Sequence, residues 1–184
     1  VARHWLEYVV VPCEVEVASE YRYRRHAARE GTLVVTISQS GETADTLAAL
    51  EEAKRQGVVG ALVVCNVAES SLVRESDLVF MTHCGPEVGV ASTKTFVSAM
   101  TGLLLLALVL SRRHGFDSGF EAHVVHQIRT LPGALEAALA MEDAIAEMAQ
   151  VFSDKEHALF LGRGAHFPIA MEGALKLKEI SYIH

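Results

Sequence analysis

The chain has 184 residues, 51% of them hydrophobic and 21% charged, a composition able to bury a sizeable core. Its formal net charge of −7 leaves no basic face for a phosphate backbone, so nucleic acid is excluded as the expected partner. Cys13, Cys65 and Cys84 are too widely spaced for a disulfide framework or a Cys-x-x-Cys metal pair. No metal or cofactor is expected, and a reducing, cytoplasmic setting fits. Cys13 and Cys65 lie in apolar runs and read as buried thiols.

In chain order, residues 1–10 predict a helix stopped by Pro12. Residues 13–18 alternate Val with Glu and predict a strand. A short polar helix is expected over 19–28, with Arg22, Arg24, Arg25 and Arg29 on a solvated face. Residues 33–37 form an apolar strand, 43–56 a helix ended by Gly57, and 61–67 a second buried strand. A short helix over 70–76 and a strand over 78–81 follow. Short apolar strands alternating with helices predict a three-layer α/β/α sandwich with a mostly parallel sheet. Such sheets bind ligands at the carboxyl ends of their strands.

Residues 92–113 predict one long helix. Its apolar stretch, 95–110, is shorter than the ~20 residues a membrane span needs and contains Thr95, Ser98 and Thr101, so a core or interface helix is expected. Residues 120–130 are helical again, and Pro132-Gly133 is a candidate boundary. Residues 134–151 form an amphipathic helix, 158–161 a further strand, and 168–183 a helix after the Gly162-Arg163-Gly164 turn. This division gives a first domain over 1–133 and the beginning of a second over 134–184. Val1 is not an initiator residue and no signal peptide precedes the fold, so a longer parent chain is expected.

The most informative stretch is 36–46, Thr-Ile-Ser-Gln-Ser-Gly-Glu-Thr-Ala-Asp-Thr, a strand-to-helix loop. Ser38, Ser40 and Thr43 place three hydroxyls where a helix N-terminus offers unsatisfied N–H groups to an anion. Neither a Walker-type lysine loop nor a Gly-x-Gly-x-x-Gly turn is present, so a small phosphate monoester is favoured over a nucleotide. The competing reading is a helix cap with a local serine turn.

Glu172, Lys176 and Glu179 fall on one helical stripe. A carboxylate with a cation beside it suits proton transfer between adjacent sugar carbons, and a surface ion-pair ladder uses the same spacing. Gly162-Arg163-Gly164 is a turn over which a ligand could pass, or a plain glycine-flanked turn. The nine histidines show no metal-ligand spacing.

Four segments together carry a family resemblance: Ser38-Gln39-Ser40-Gly41-Glu42-Thr43, residues 71–77, Glu87 through Lys94, and Glu172 through His184. On these the chain resembles the isomerase part of glucosamine-6-phosphate synthases, built from two SIS domains. The resemblance implies a SIS fold followed by the start of a second SIS unit, and a site for fructose 6-phosphate or glucosamine 6-phosphate. Ser38, Gln39, Ser40 and Thr43 match its phosphate loop, and Val90 and Ser92 match positions near the sugar. Glu179 matches the proton-moving carboxylate with Lys176 beside it, and Arg163 a position that closes over the substrate. It also implies a glutamine-hydrolysing domain, an opening strand with another phosphate-contacting serine, and the rest of the second SIS domain, none of which falls within residues 1–184. On this basis the fragment is expected to be inactive alone, the full protein to be a homodimer, and no membrane to be involved. A non-catalytic phosphosugar sensor and a phosphosugar deglycase remain alternative classes.

Overall fold

The computed structural model describes residues 1–27 and 29–183. The chain divides into two compact units, one over Pro12–Leu105 and one of Val1–Val11 with the segment from Leu106 onward.

In the first unit, β1 (Leu33–Ser38), β2 (Gly60–Cys65) and β3 (Leu78–Met81) pair in the order β1-β2-β3, all parallel. Register sets Thr36 beside Val63, Ser38 beside Cys65 and Val64 beside Phe80. Side chains alternate along a strand, so Val34, Thr36, Ala61, Val63 and Cys65 share one face, with Leu62, Val64 and Phe80 on the other. From Ala61 to Cys65 no residue of β2 is more than 9% exposed. Burial on both faces is why this strand is a continuous apolar run.

Helices α3 (Ala44–Arg55) and α4 (Ser71–Glu75) cover the first face. Leu47 and Leu50 of α3 and Leu72 and Val73 of α4 pack with Ala61, Val63 and Cys65 in one cluster. On the opposite face lies α5 (Lys94–Ser111), whose Gly102 approaches Phe80 so closely that an added Cβ would stand 2.5 Å from the ring. Helix, sheet and helix form the expected three layers. Asp77 ties β2 to the approach to β3. Its carboxylate accepts from the Ala61 amide at 2.8 Å, and its own amide donates to the Ala61 carbonyl at 3.0 Å.

Helix α5 continues as a 3-10 turn, giving 21 helical residues over Lys94–His114 with mean hydropathy 1.8. By length and composition this run reaches a membrane-spanning length, which the shorter 95–110 stretch did not suggest. Its hydroxyls bond back to the helix itself, Thr101 to the Val97 carbonyl at 2.9 Å and Ser111 to the Leu108 carbonyl at 2.7 Å. The Phe80 contact packs its Gly102 turn against the sheet.

The second unit contains α1 (Ala2–Tyr8), α6 (Ser118–Leu139), α7 (Glu142–Phe152) and α8 (Phe167–Ser181). Tyr8 packs with Phe116 and Phe120 at ring separations of 5.8 Å each, and Phe116 and Phe120 lie 5.0 Å apart. Asp117 caps α6 by accepting from the Phe120 amide at 2.8 Å.

Several expected elements differ. Residues 13–17 and 158–161 belong to no helix and no ladder among the described residues, and Leu159 and Leu161 are 90% and 88% exposed. Alternation marks a chain that could pair; a strand exists only where a neighbour supplies the hydrogen bonds. Cys13 is accordingly half-exposed, while Cys65 is buried as expected. The polar helix is a single turn, α2 (Ala18–Tyr21), and Ala28 lies outside the described residues. Its arginines do not form a helix face, because Arg22 pairs with Asp45 at 2.6 Å and Arg24 with Glu16 at 2.5 Å. Helix α6 runs unbroken through Pro132, which gives up one backbone bond in the middle of a 22-residue helix.

Leu72 is fully buried between α4 and the sheet. Leu72→Ala is expected to lower stability by about 2–5 kcal/mol. In urea denaturation this appears as a lower midpoint at unchanged m-value.

Candidate functional site

Parallel pairing brings the ends of β1, β2 and β3 to one edge, and the loop 39–43 leaves that edge into α3. Ser38 Oγ accepts from the Gly41 amide at 3.0 Å, and Ser40 Oγ accepts from the Glu42 amide at 3.2 Å. Each hydroxyl therefore has a lone pair engaged by the backbone, and its proton can turn outward. Ser38 Oγ and Thr43 Oγ1 lie 3.3 Å apart. Thr43 occupies the N-cap position of α3, yet its side chain caps nothing. The first intrahelical bond there runs from the Leu47 amide to the Thr43 carbonyl at 3.0 Å, so the amides of Ala44, Asp45 and Thr46 have no partner within the helix. Hydroxyls free to turn outward beside open helical amides are an arrangement that can receive an anion. The helix-cap reading of Thr43 is not realised.

The loop rests on the end of β2. Gly41 has φ +69°, and a Cβ there would run into Ser70 Oγ and come within 2.9 Å of Cys65 Sγ. The Cys65 thiol lies 3.7 Å from both the Gln39 and the Val67 carbonyls and 3.6 Å from Ser70 Oγ. Two further bonds fasten the loop to α4: the Leu72 amide donates to the Gly41 carbonyl at 3.0 Å, and the Ser71 amide to Glu42 Oε1 at 2.8 Å. The Ser71 hydroxyl and amide hold the Glu42 carboxyl below its usual range. At the other side, Arg22 engages Asp45 in the first turn of α3. Both acids of the loop region are thereby occupied.

The loop after β3 is organised by Asn66. Its Oδ1 accepts from Thr82 Oγ1 and from the Cys84 amide, each at 3.0 Å, and its Nδ2 donates to the Gly85 carbonyl at 2.8 Å. Burial pushes the Cys84 thiol up, but hydroxyls of Thr95, Thr82 and Ser98 outweigh it and leave the thiol below its ordinary value. Glu87 Oε1 accepts from the Thr93 amide at 2.8 Å, Thr93 Oγ1 at 3.3 Å and the Thr95 amide at 3.4 Å. Its Oε2 accepts from Ser92 Oγ at 3.1 Å. These donors, the Thr95 side chain foremost, lower the Glu87 pKa to about 2. Gln39 and Glu87 line one open cleft of about 620 Å³, together with Asn66 and His83.

In the other unit, α8 carries Lys176 with its Nζ 2.6 Å from Glu179 Oε2 and 3.5 Å from Glu172 Oε1. The Glu179 carboxylate, with Glu172 adding to it, raises the Lys176 pKa, so the ammonium stays charged at neutral pH. Arg163 stands in the turn before α8, ahead of the 3-10 segment Gly164–His166.

Of the residues expected from sequence, Ser38, Gln39, Ser40 and Thr43 form one loop, and Val90 and Ser92 lie on the segment entering α5 in the same unit. Lys176 and Glu179 are in contact, with Arg163 on the same unit. Sequence reasoning passed over Asn66, Cys65, Ser70 and Glu87, whose roles come from contacts 5 to 26 residues away that no local pattern shows.

Gly41→Ala introduces a side chain at positive φ against a fixed floor. It is expected to cost at least about 1–2 kcal/mol. A thermal midpoint several degrees lower by circular dichroism checks this.

A SIS domain profile matches residues 1–109. The whole chain is 58% identical to a glutamine–fructose-6-phosphate aminotransferase [isomerizing] of Pseudomonas putida and 56% identical to that of Escherichia coli. It spans 30% of the length of each. It also superposes on the C-terminal domain of glucosamine-fructose-6-phosphate aminotransferase from Francisella tularensis with a TM-score of 0.97 at 49% identity, covering 100% of this chain and 52% of that one. A parallel sheet between helical layers, a hydroxyl-lined loop at its carboxyl edge and these matches lead to one assignment: the chain belongs to the SIS-domain family.

Proposed function

We propose that this chain is the phosphosugar-binding isomerase part of a glutamine–fructose-6-phosphate aminotransferase. In that role it helps make glucosamine 6-phosphate from fructose 6-phosphate and ammonia released from glutamine. The observation that carries the reading is the loop at Ser38–Thr43, where outward hydroxyls meet the open amides of α3. The identity of 56–58% to named aminotransferases along the whole chain supports it. The domains fit as a first SIS unit over 1–133 and the opening of a second over 134–184. The rest of the second unit, a glutaminase domain and a second subunit complete the assembly in this reading, in the cytoplasm.

Ser38, Ser40 and Thr43 donate to the phosphate, with Gln39 beside them. Val90 and Ser92 face the sugar, and Arg163 closes over its chain. The Glu179 carboxylate takes a proton from one of the first two sugar carbons and returns it to the other. Lys176 orients that carboxylate, and its charge opposes the negative charge that develops on the enediol oxygens.

Calorimetry on the full-length protein tests the loop. A neutral-to-charged hydrogen bond contributes roughly 1.5–3 kcal/mol, so Thr43→Ala should weaken fructose 6-phosphate binding by about tenfold or more. Affinity for unphosphorylated fructose should stay as it was, and an equal loss for both sugars counts against a phosphate grip. The base is tested by turnover: Glu179→Gln should reduce isomerisation on the order of 10²-fold or more while sugar phosphate binding persists. Near-normal turnover would return Glu179 to an ion-pair ladder.

A further inference from the structure

The Glu87 carboxylate divides its two oxygens between two tasks. Oε1 gathers the Thr93 and Thr95 amides and the Thr93 hydroxyl, which fixes the entry into α5. Oε2 accepts from the Ser92 hydroxyl at 3.1 Å, and the Thr95 hydroxyl also acts on the carboxylate. A carboxylate only accepts, so the single Ser92 proton is committed to it and the remaining capacity of Ser92 Oγ is its lone pairs. We infer that Glu87 is a positioning residue that fixes the polarity of Ser92, so that Ser92 meets the substrate as a hydrogen-bond acceptor and selects a sugar hydroxyl there. This rests on the phosphosugar reading above.

Helix capping alone does not account for the arrangement. A cap needs one oxygen on the first amides, and Oε1 supplies it; the bond from Ser92 is additional. Charge supports it, because a carboxyl titrating at about 2 stays an acceptor at every working pH. Location supports it too: Glu87 lines the same cleft as Gln39 of the phosphate loop. Val88 and Val90 beside it are 96% and 88% exposed.

Glu87→Gln in the full-length protein separates polarity from shape. The amide oxygen can still accept from the Thr93 amide, but an NH2 replaces Oε2, donates to Ser92 and turns its proton outward. Calorimetry is expected to show fructose 6-phosphate binding weakened about fivefold, the effect of one neutral hydrogen bond, with affinity for inorganic phosphate unchanged. In a Ser92→Ala background the same substitution should have no further effect, because the group through which it acts is gone. Equal losses for inorganic phosphate and the sugar, or fully additive losses in the double variant, overturn the inference. Wild-type protein that binds inorganic phosphate but not fructose 6-phosphate overturns the phosphosugar reading and this inference with it. If Glu87→Gln does not fold, Glu87→Asp decides. It keeps the charge but withdraws it by one methylene, so a smaller selective loss for the sugar is required, and wild-type affinity for it sinks the inference.

Discussion

Strand β2 pairs in parallel on both edges, which forces the carboxyl ends of three strands to one side of the sheet. The loops that follow them, beginning at Gln39, Asn66 and Thr82, emerge side by side for that reason alone. Their mutual bonds then become possible: the Asn66 amide on Gly85, the Asn66 N–H on the Gln39 carbonyl at 3.3 Å, and Cys65 beneath Gln39. A sheet with one strand reversed would scatter these groups to opposite edges. The site is thus a consequence of topology before it is a consequence of residue type.

An anion seat in a chain of net charge −7 must manage its own acids. Glu42 and Asp45 flank the Ser38–Thr43 hydroxyls, and bare carboxylates there would repel a phosphate. Each is engaged elsewhere, Glu42 by the amide of Ser71 and Asp45 by the guanidinium of Arg22. The two nearby helix starts are used differently. The N-terminal amides of α4 are consumed by the loop itself, through Gly41 and Glu42, while those of α3 stay open. One helix holds the loop, and the other keeps its first-turn amides open.

The layered fold was readable from the chain because 61–65 is apolar without alternation, a pattern that burial on both faces imposes; 33–37 is similarly apolar although its Leu33 and Ile37 are exposed. The loop was readable for a local reason, three hydroxyls at a strand-to-helix junction. What stayed hidden depends on partners distant in sequence. Residues 158–161 resemble a strand because local pattern records the capacity to pair and not the neighbour. Pro132 looked like a helix end because sequence shows the missing N–H but not the tolerance of a long helix. Asn66 carried no motif of its own and acts on a segment that only the fold brings to it, while Glu87 stood in a segment of the resemblance with no role assigned to it. Lys176 and Glu179 sit between these cases: their contact follows from helical spacing, but spacing cannot separate a proton-transfer pair from an ion-pair ladder.

The close approach of Gly41 to Ser70 and Cys65 also bears on how such a chain can change over generations. Positions 41, 65 and 70 share one small volume, so none drifts freely. A larger side chain at 70, or a branched one at 65, would lift the loop and tilt the hydroxyls of Ser38 and Ser40 away from a common target. Enlargement at one of these positions is therefore tolerated only with shrinkage at another. Positions 41, 65 and 70 are expected to vary as a set across homologous sequences, while Glu51 and Arg55, on the solvent side of α3, vary independently of them.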